Sequence, residues 1–178
     1  MIAASALGLA AWAGGLDWRT RRIPNWLTAP ALLLGLALNS ALGRWAGAKS
    51  ALEGVGMSLG LLLPVVLMRG LGAGDWKLMG ALGAFLGPQR TLVVLVGTMW
   101  IAGVMSAVEV IRQGKVQETL YNIWVVFIAY STFHVNSARA INLDNPGMLK
   151  IPFAVAAGLS TGFFFAILMA LRFLHAWG

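Results

Sequence analysis

The chain has 178 residues, of which 59% are hydrophobic and 11% are charged, with a formal net charge of +7 and no cysteine. Long runs almost free of charge exclude a soluble globular protein and predict a polytopic membrane protein, because a bilayer core about 30 Å thick needs roughly 20 apolar residues per helix. These runs are continuously apolar and rich in Leu, Ala and Gly, so a membrane barrel with alternating polarity is disfavoured.

We predict an all-α fold with about six transmembrane helices. In chain order, the predicted spans are 1–17, 26–43, 51–68, 75–88, 91–111 and 151–171. The fourth span is short, so it must tilt, extend into flanking residues or thin the bilayer. Six helices account for most of the chain, which predicts a single membrane domain covering residues 1–178.

The basic residues nearest to the first span follow it. A secretory signal carries its positive charge before the apolar run, so we interpret 1–17 as a retained helix and keep a signal peptide as the alternative. Short loops rich in Lys and Arg stay in the cytoplasm, which predicts an outward N-terminus. The predicted cytoplasmic residues are Arg19, Arg21, Arg22, Arg69, Lys77, Arg112, Lys115, Arg139 and Lys150, against Arg44, Lys49, Arg90 and Arg172 outside. This topology, together with attraction to anionic lipids, explains the net charge without a nucleic-acid partner.

The long connection 112–150 contains an apolar stretch at 121–135 that is too short for a full crossing. Tyr121, Trp124 and Tyr130 within it suit the headgroup level of a membrane. We therefore predict an interfacial or re-entrant segment on the cytoplasmic side, followed by a polar loop. A full crossing is the alternative, and it would move the C-terminus inside.

Two aspartates, Asp17 and Asp75, each lie where an apolar run meets basic residues. A carboxylate at membrane depth costs about 3 kcal/mol on insertion scales, so such acids are functional candidates. The predicted orientation places both at the cytoplasmic ends of their helices. Taken alone, Asp17 also fits an ordinary helix-end acid offset by neighbouring arginines.

Gly72 and Gly74 precede Asp75 in a Gly-Ala-Gly-Asp sequence. Glycine removes a side chain where the backbone bends or is closely approached. The sequence matches neither a Walker nor a Rossmann phosphate loop, and a plain turn is the alternative. Lys77 either biases the charge near Asp75 or, as we favour, extends to the cytoplasmic boundary.

Taken together, these motifs resemble the type IV prepilin peptidases, a family of intramembrane aspartic proteases with a Gly-x-Gly-Asp signature. The matching residues are Asp17 with Ile23-Pro24-Asn25, Gly72-Ala73-Gly74-Asp75 with Lys77-Leu78, and Lys150-Ile151-Pro152-Phe153 at the start of the last predicted span. Each motif alone is weak, whereas the three in this order are specific. Presenilin-like proteases share the Gly-x-Gly-Asp signature but pair it with a Tyr-Asp motif, which Leu16-Asp17 does not supply.

The resemblance implies that Asp17 and Asp75 form a catalytic dyad and that Gly72 and Gly74 shape the loop that receives the scissile segment. It also implies supporting roles for Lys77, Pro24, Asn25 and Pro152. Two close carboxylates cannot both ionise cheaply, so they share a proton: one activates water while the other donates to the carbonyl oxygen. Neither acid receives a fixed role from sequence.

The family's substrates are prepilin-like proteins with a basic leader and an apolar stem, cut after a glycine at the cytoplasmic face. This implies a location in the bacterial cytoplasmic membrane. Larger members carry a zinc-binding insert with paired cysteines and also methylate the new N-terminus. This cysteine-free chain with a short first loop resembles the short form of Flp-type, tight-adherence pili, which puts methylation in doubt. We expect no cofactor and no metal, because His134 and His175 are too isolated for a metal site.

Two alternative functions stay open at this point. A small ion or proton-coupled transporter or channel component also uses intramembrane acid pairs, although the spans show no inverted repeat. A non-enzymatic pilus-assembly subunit would retain the motifs for shape. The oligomeric state is open in all three cases.

Overall fold

The computed structural model describes residues 2–20, 23–67, 71–131 and 153–177. The regular structure in these ranges is α-helical. The helices are α1 (Ile2–Thr20), α2 (Asn25–Leu67), α3 (Ala73–Arg112), α4 (Val116–Ser131) and α5 (Phe153–Trp177). The predicted all-α class is confirmed for these residues.

Three helices in the described ranges are long and apolar enough to cross a membrane, namely Asn25–Leu67, Ala73–Arg112 and Phe153–Leu174. Straight helices of the length of α2 and α3 would extend about 60 Å, twice the thickness of a bilayer core. Both are interrupted, α2 at Arg44 (φ 50°) and α3 at Gly87 (φ 72°). The breaks lie near the predicted boundaries between spans, while the count of about six spans stays a prediction.

The chain turns back sharply at Arg44. A side chain at Gly47 would overlap the carbonyl oxygen of Asn39, so the residues after the break lie directly against those before it. Glycine permits this approach because it has no Cβ. The break lies one residue after the predicted span 26–43, and the helix resumes before the predicted span 51–68.

The first part of α3, residues 73–86, is the centre of the bundle. Its residues from Leu78 onward are buried. The two parts of α2 flank it: Gly35 lies against Ala84, and Gly54 lies against the backbone of Gly83. Small residues let helix backbones approach closely, and such packing drives helix association in lipid.

The helices α1, α4 and α5 pack around this centre. α5 packs against both α1 and α3, and Ser160 of α5 donates a hydrogen bond to the carbonyl of Val94 (2.9 Å). α4 packs lightly against α3 within the described residues. The predicted segment 121–135 is helical as far as Ser131, and the rest of it lies outside the described residues. Its interfacial placement stays a prediction.

Candidate active site

Asp17 and Asp75 meet at one end of the bundle. Asp17 lies three residues before the end of α1, and Asp75 lies in the first turn of α3. Asp17 is buried, with 5% of its surface exposed, and Asp75 is partly buried. The two carboxyl groups lie close enough to interact electrostatically. The structure thus brings together the two acids that the sequence analysis singled out.

Asp17 accepts a hydrogen bond from α5. The backbone N–H of Ala154, in the first turn of α5, donates a hydrogen bond to Oδ2 of Asp17 (3.0 Å). A helix N-terminus carries N–H groups without intrahelical partners and a positive dipole end, so it favours a carboxylate. The sequence analysis missed this contact because a backbone amide has no residue signature and the partners are 137 positions apart.

Gly72 shapes the surroundings of Asp75 directly. It is the N-cap of α3 in an extended conformation (φ −67°, ψ 143°), and its backbone N–H donates a hydrogen bond to the Asp75 carboxyl group. Its carbonyl accepts a hydrogen bond from the N–H of Trp76 (3.1 Å). A Cβ at Gly72 would lie 3.0 Å from Oδ2 of Asp75. A side chain at this position would therefore crowd the carboxyl group.

Gly74 lies in close contact with another part of this chain, the connection before α2. A Cβ at Gly74 would lie 3.2 Å from both Cβ and the carbonyl oxygen of Ile23, in the connection between α1 and α2. Such spacing is tighter than most contacts of real Cβ atoms. Gly74 thus packs the start of α3 onto the connection that follows Asp17.

Lys77 makes a second contact, between the start of α3 and the start of α2. Nζ of Lys77 donates a hydrogen bond to Oδ1 of Asn25 (2.9 Å), the first residue of α2. Pro24 precedes α2 by one residue, and its carbonyl accepts from the N–H of Leu27 (3.1 Å). This carbonyl thus acts as the acceptor at the N-cap of α2. The exposed Lys77 links two helix ends.

Comparison with known proteins establishes the family. The sequence profile of the type IV leader peptidase family matches residues 3–107, a range that contains both aspartates. The chain belongs to the type IV leader peptidase family. The resemblance to this family is thereby confirmed, and the Flp subtype is not tested by the match.

Two curated relatives of this leader peptidase family member carry the name prepilin leader peptidase/N-methyltransferase. The protein from Xanthomonas campestris pv. campestris is 30% identical over 112 residues, which cover 59% of this chain and 39% of the relative. The protein from Escherichia coli K12 is 28% identical over 117 residues, which cover 62% of this chain and 52% of the relative. The alignments thus span about half or less of each relative's length. No solved structure matches the chain significantly.

The surroundings of the two aspartates in this family member include Trp76. The indole N–H of Trp76, the residue after Asp75, donates a hydrogen bond to the carbonyl of Leu59 in α2 (2.9 Å). Pro152 lies outside the described residues. Within the described ranges, no group of three or more His, Cys, Asp or Glu side chains is arranged to hold a metal ion.

A cavity of about 500 Å³ lies at the opposite end of the central helix from Asp75. Its lining includes Asn39, Ser50, Phe85 and Arg90. The cavity is thus separate from the paired aspartates.

Proposed function

We propose that this chain is a membrane-embedded aspartic endopeptidase that removes the leader peptide from Flp-type prepilins at the cytoplasmic face of the bacterial cytoplasmic membrane. The observation that supports it most directly is the meeting of Asp17 and Asp75 at one end of the bundle, in a member of a leader peptidase family. The catalytic residues are Asp17 and Asp75, and Gly72 borders the reacting carboxyl groups.

The chemistry follows from a shared proton. Two neighbouring carboxyl groups at low dielectric hold one proton between them. The ionised group accepts a proton from water while the water oxygen attacks the scissile carbonyl carbon, and the protonated group donates to the carbonyl oxygen. Collapse of the tetrahedral intermediate breaks the C–N bond, and a proton passes to the leaving amine. The titration belongs to the pair and not to either acid alone.

The proposed substrate is a prepilin with a short basic leader and an apolar stem, cut after a glycine. An apolar stem lies in the bilayer, which places the cleavage site near the helix ends where Asp17 and Asp75 meet. The cysteine-free sequence and the short connection between α1 and α2 support the Flp-type assignment. We propose leader removal alone for this chain. The two longer relatives also carry N-methyltransferase in their names.

Purified protein in detergent micelles, mixed with a Flp-type prepilin, tests this function. We expect two fragments, with mass spectrometry placing the cut after a glycine, and no fragments with Asp75→Asn. Cation or proton flux in liposomes without cleavage would instead support the transporter. Stable binding of the precursor without cleavage would support an assembly subunit.

A further inference from the structure

The contact between α1 and α5 includes a hydrogen bond from a backbone N–H of α5 to the carboxyl group of Asp17. Ala154 is the second residue of α5, so its N–H has no acceptor within its own helix. That N–H reaches Oδ2 of the buried Asp17. We propose that the N-terminus of α5 is a positioning element for the catalytic dyad, acting through the Ala154 amide. This inference rests on the proposed function, since it assigns Asp17 a role in cleavage.

The two helices come close enough for this bond because glycines lie on the facing sides. A Cβ at Gly14 would be 3.4 Å from the carbonyl oxygen of Ala154, and a Cβ at Gly158 would be 3.0 Å from that of Ala10. The pairs run in opposite directions along the two helices, so α1 and α5 are antiparallel. Ala10, Gly14 and Asp17 are spaced to share one helix face. Packing at the two glycines therefore sets the height and distance at which Ala154 meets Asp17.

The close approach is specific to these two glycines. Gly15, next to Gly14 in α1, has nothing within 4 Å of its would-be Cβ. Gly162, one turn after Gly158 in α5, is equally open. Each contact glycine thus has a matched control in the same helix, with the same loss of backbone freedom on substitution.

The amide acts on catalysis by fixing the orientation of a carboxyl group. A carboxyl bound at one oxygen has restricted rotation, so its plane keeps a set direction relative to Asp75. Productive proton transfer requires such alignment, and misplacement by about 1 Å costs up to about a hundredfold in rate. Ala154 does not touch the reacting atoms, and its effect passes through Asp17. It is a positioning residue.

The first test compares Gly14→Leu with Gly15→Leu in prepilin cleavage. We expect Gly14→Leu to lower kcat by at least about tenfold with KM within about twofold of the parent, because misalignment affects the reacting groups and not substrate binding. Gly15→Leu should cleave like the parent, because a Cβ at Gly15 meets nothing within 4 Å. Equal loss in Gly15→Leu, or a rise in KM with kcat unchanged, would overturn the inference.

A second pair of variants covers the case in which Gly14→Leu does not fold. In Gly158→Ala the new Cβ would lie 3.0 Å from the carbonyl oxygen of Ala10. Ala10 would therefore have to move by a few tenths of an ångström. We expect a smaller loss of kcat, with Gly162→Ala unaffected. Parent-like kcat in Gly158→Ala, with Gly14→Leu unfolded, counts against the positioning role.

A crosslink tests the geometry without any activity. The chain has no cysteine, and a Cβ at position 14 would be 3.6 Å from Cα of Val155. We expect Gly14→Cys with Val155→Cys to form a disulfide on mild oxidation, and Gly15→Cys with Val155→Cys to form none. A missing crosslink overturns the inference even in an active protease. If the crosslink forms but the parent protein does not cleave the precursor, the proposed function is refuted, while the contact between α1 and α5 is supported.

Discussion

Asp75 is fixed through its neighbours in the sequence, and each neighbour contacts a different segment. Gly74 packs on Ile23 in the connection before α2, and Lys77 bonds Asn25 at the start of α2. Trp76 reaches Leu59 in the second part of α2. These contacts restrain the first turn of α3 from separate directions, which keeps the carboxyl group close to Asp17.

Gly74→Val should abolish cleavage while the protein still inserts into the membrane. The new side chain would meet the backbone and Cβ of Ile23 at 3.2 Å and push the first turn of α3 away from the connection. Gly60→Val is the matched control, because a Cβ there meets nothing within 4 Å. Precursor processing is followed by the mobility of the pilin on a gel. Normal processing by Gly74→Val would reduce this glycine to a plain connector.

Trp76→Phe should lower stability by about 1 kcal/mol, because it retains an aromatic ring but deletes the donor to the Leu59 carbonyl. Thermal unfolding in detergent measures the change. Trp100→Phe is the control, since Trp100 is 75% exposed. Equal melting temperatures for Trp76→Phe and Trp100→Phe would show that the indole hydrogen bond contributes nothing to holding the first turn of α3.

At the scale of helices, the central segment 73–86 ends where the backbone leaves the helix at Gly87. The last carbonyl groups of a helix lack intrahelical donors, and a buried carbonyl group without a donor is costly. Nδ2 of Asn39 donates to the carbonyls of Ala84 (2.7 Å) and Phe85 (3.3 Å). One side chain of α2 thereby stabilises the end of the central helix.

Asn39→Leu should destabilise the protein by about 1 to 2 kcal/mol, since it leaves buried carbonyl groups without a donor. Asn39→Asp should cost at least as much, because an ionised carboxylate cannot donate. The next residue provides the control: Ser40 bonds a carbonyl of its own helix, so Ser40→Ala should change little. Thermal unfolding of the three variants in detergent gives the comparison. Parent-like stability of Asn39→Leu would contradict the capping role.

The sequence predicted the all-helical class because continuous apolar runs permit little other regular structure in a membrane. It also singled out Asp17, Asp75, Gly72 and Gly74, whose residue types carry a physical meaning. It did not predict the Ala154 contact or the role of Asn39. Those depend on which helices become neighbours, and helical periodicity contains no such information.

At the scale of the whole molecule, the ends of the helices sort into two groups. The end of α1 and the starts of α2, α3 and α5 meet at the paired aspartates, while the breaks at Arg44 and Gly87 lie at the other end. The excess of basic residues near the first group predicts that it faces the cytoplasm.

Single cysteines test this orientation in intact cells. Arg19→Cys, beside the aspartates, should resist an impermeant thiol reagent, because the positive-inside rule places it in the cytoplasm. Trp45→Cys, beside the opposite turn, should react, since Trp45 is 82% exposed. Lysed cells, in which both positions are accessible, serve as the labelling control. The reverse pattern in intact cells would invert the topology and move the aspartates outside.

The central claim is that Asp17 and Asp75 activate one water as a unit. Asp17→Asn, Asp75→Asn and the double variant, each co-expressed with a Flp-type prepilin, test it by the rate of precursor processing. Asn preserves size and an acceptor for the Ala154 amide, so insertion should survive. We predict that each single substitution reduces the rate nearly as far as the double one, because groups that act together are not additive. Processing at the parent's rate by either single variant would contradict the shared-proton dyad.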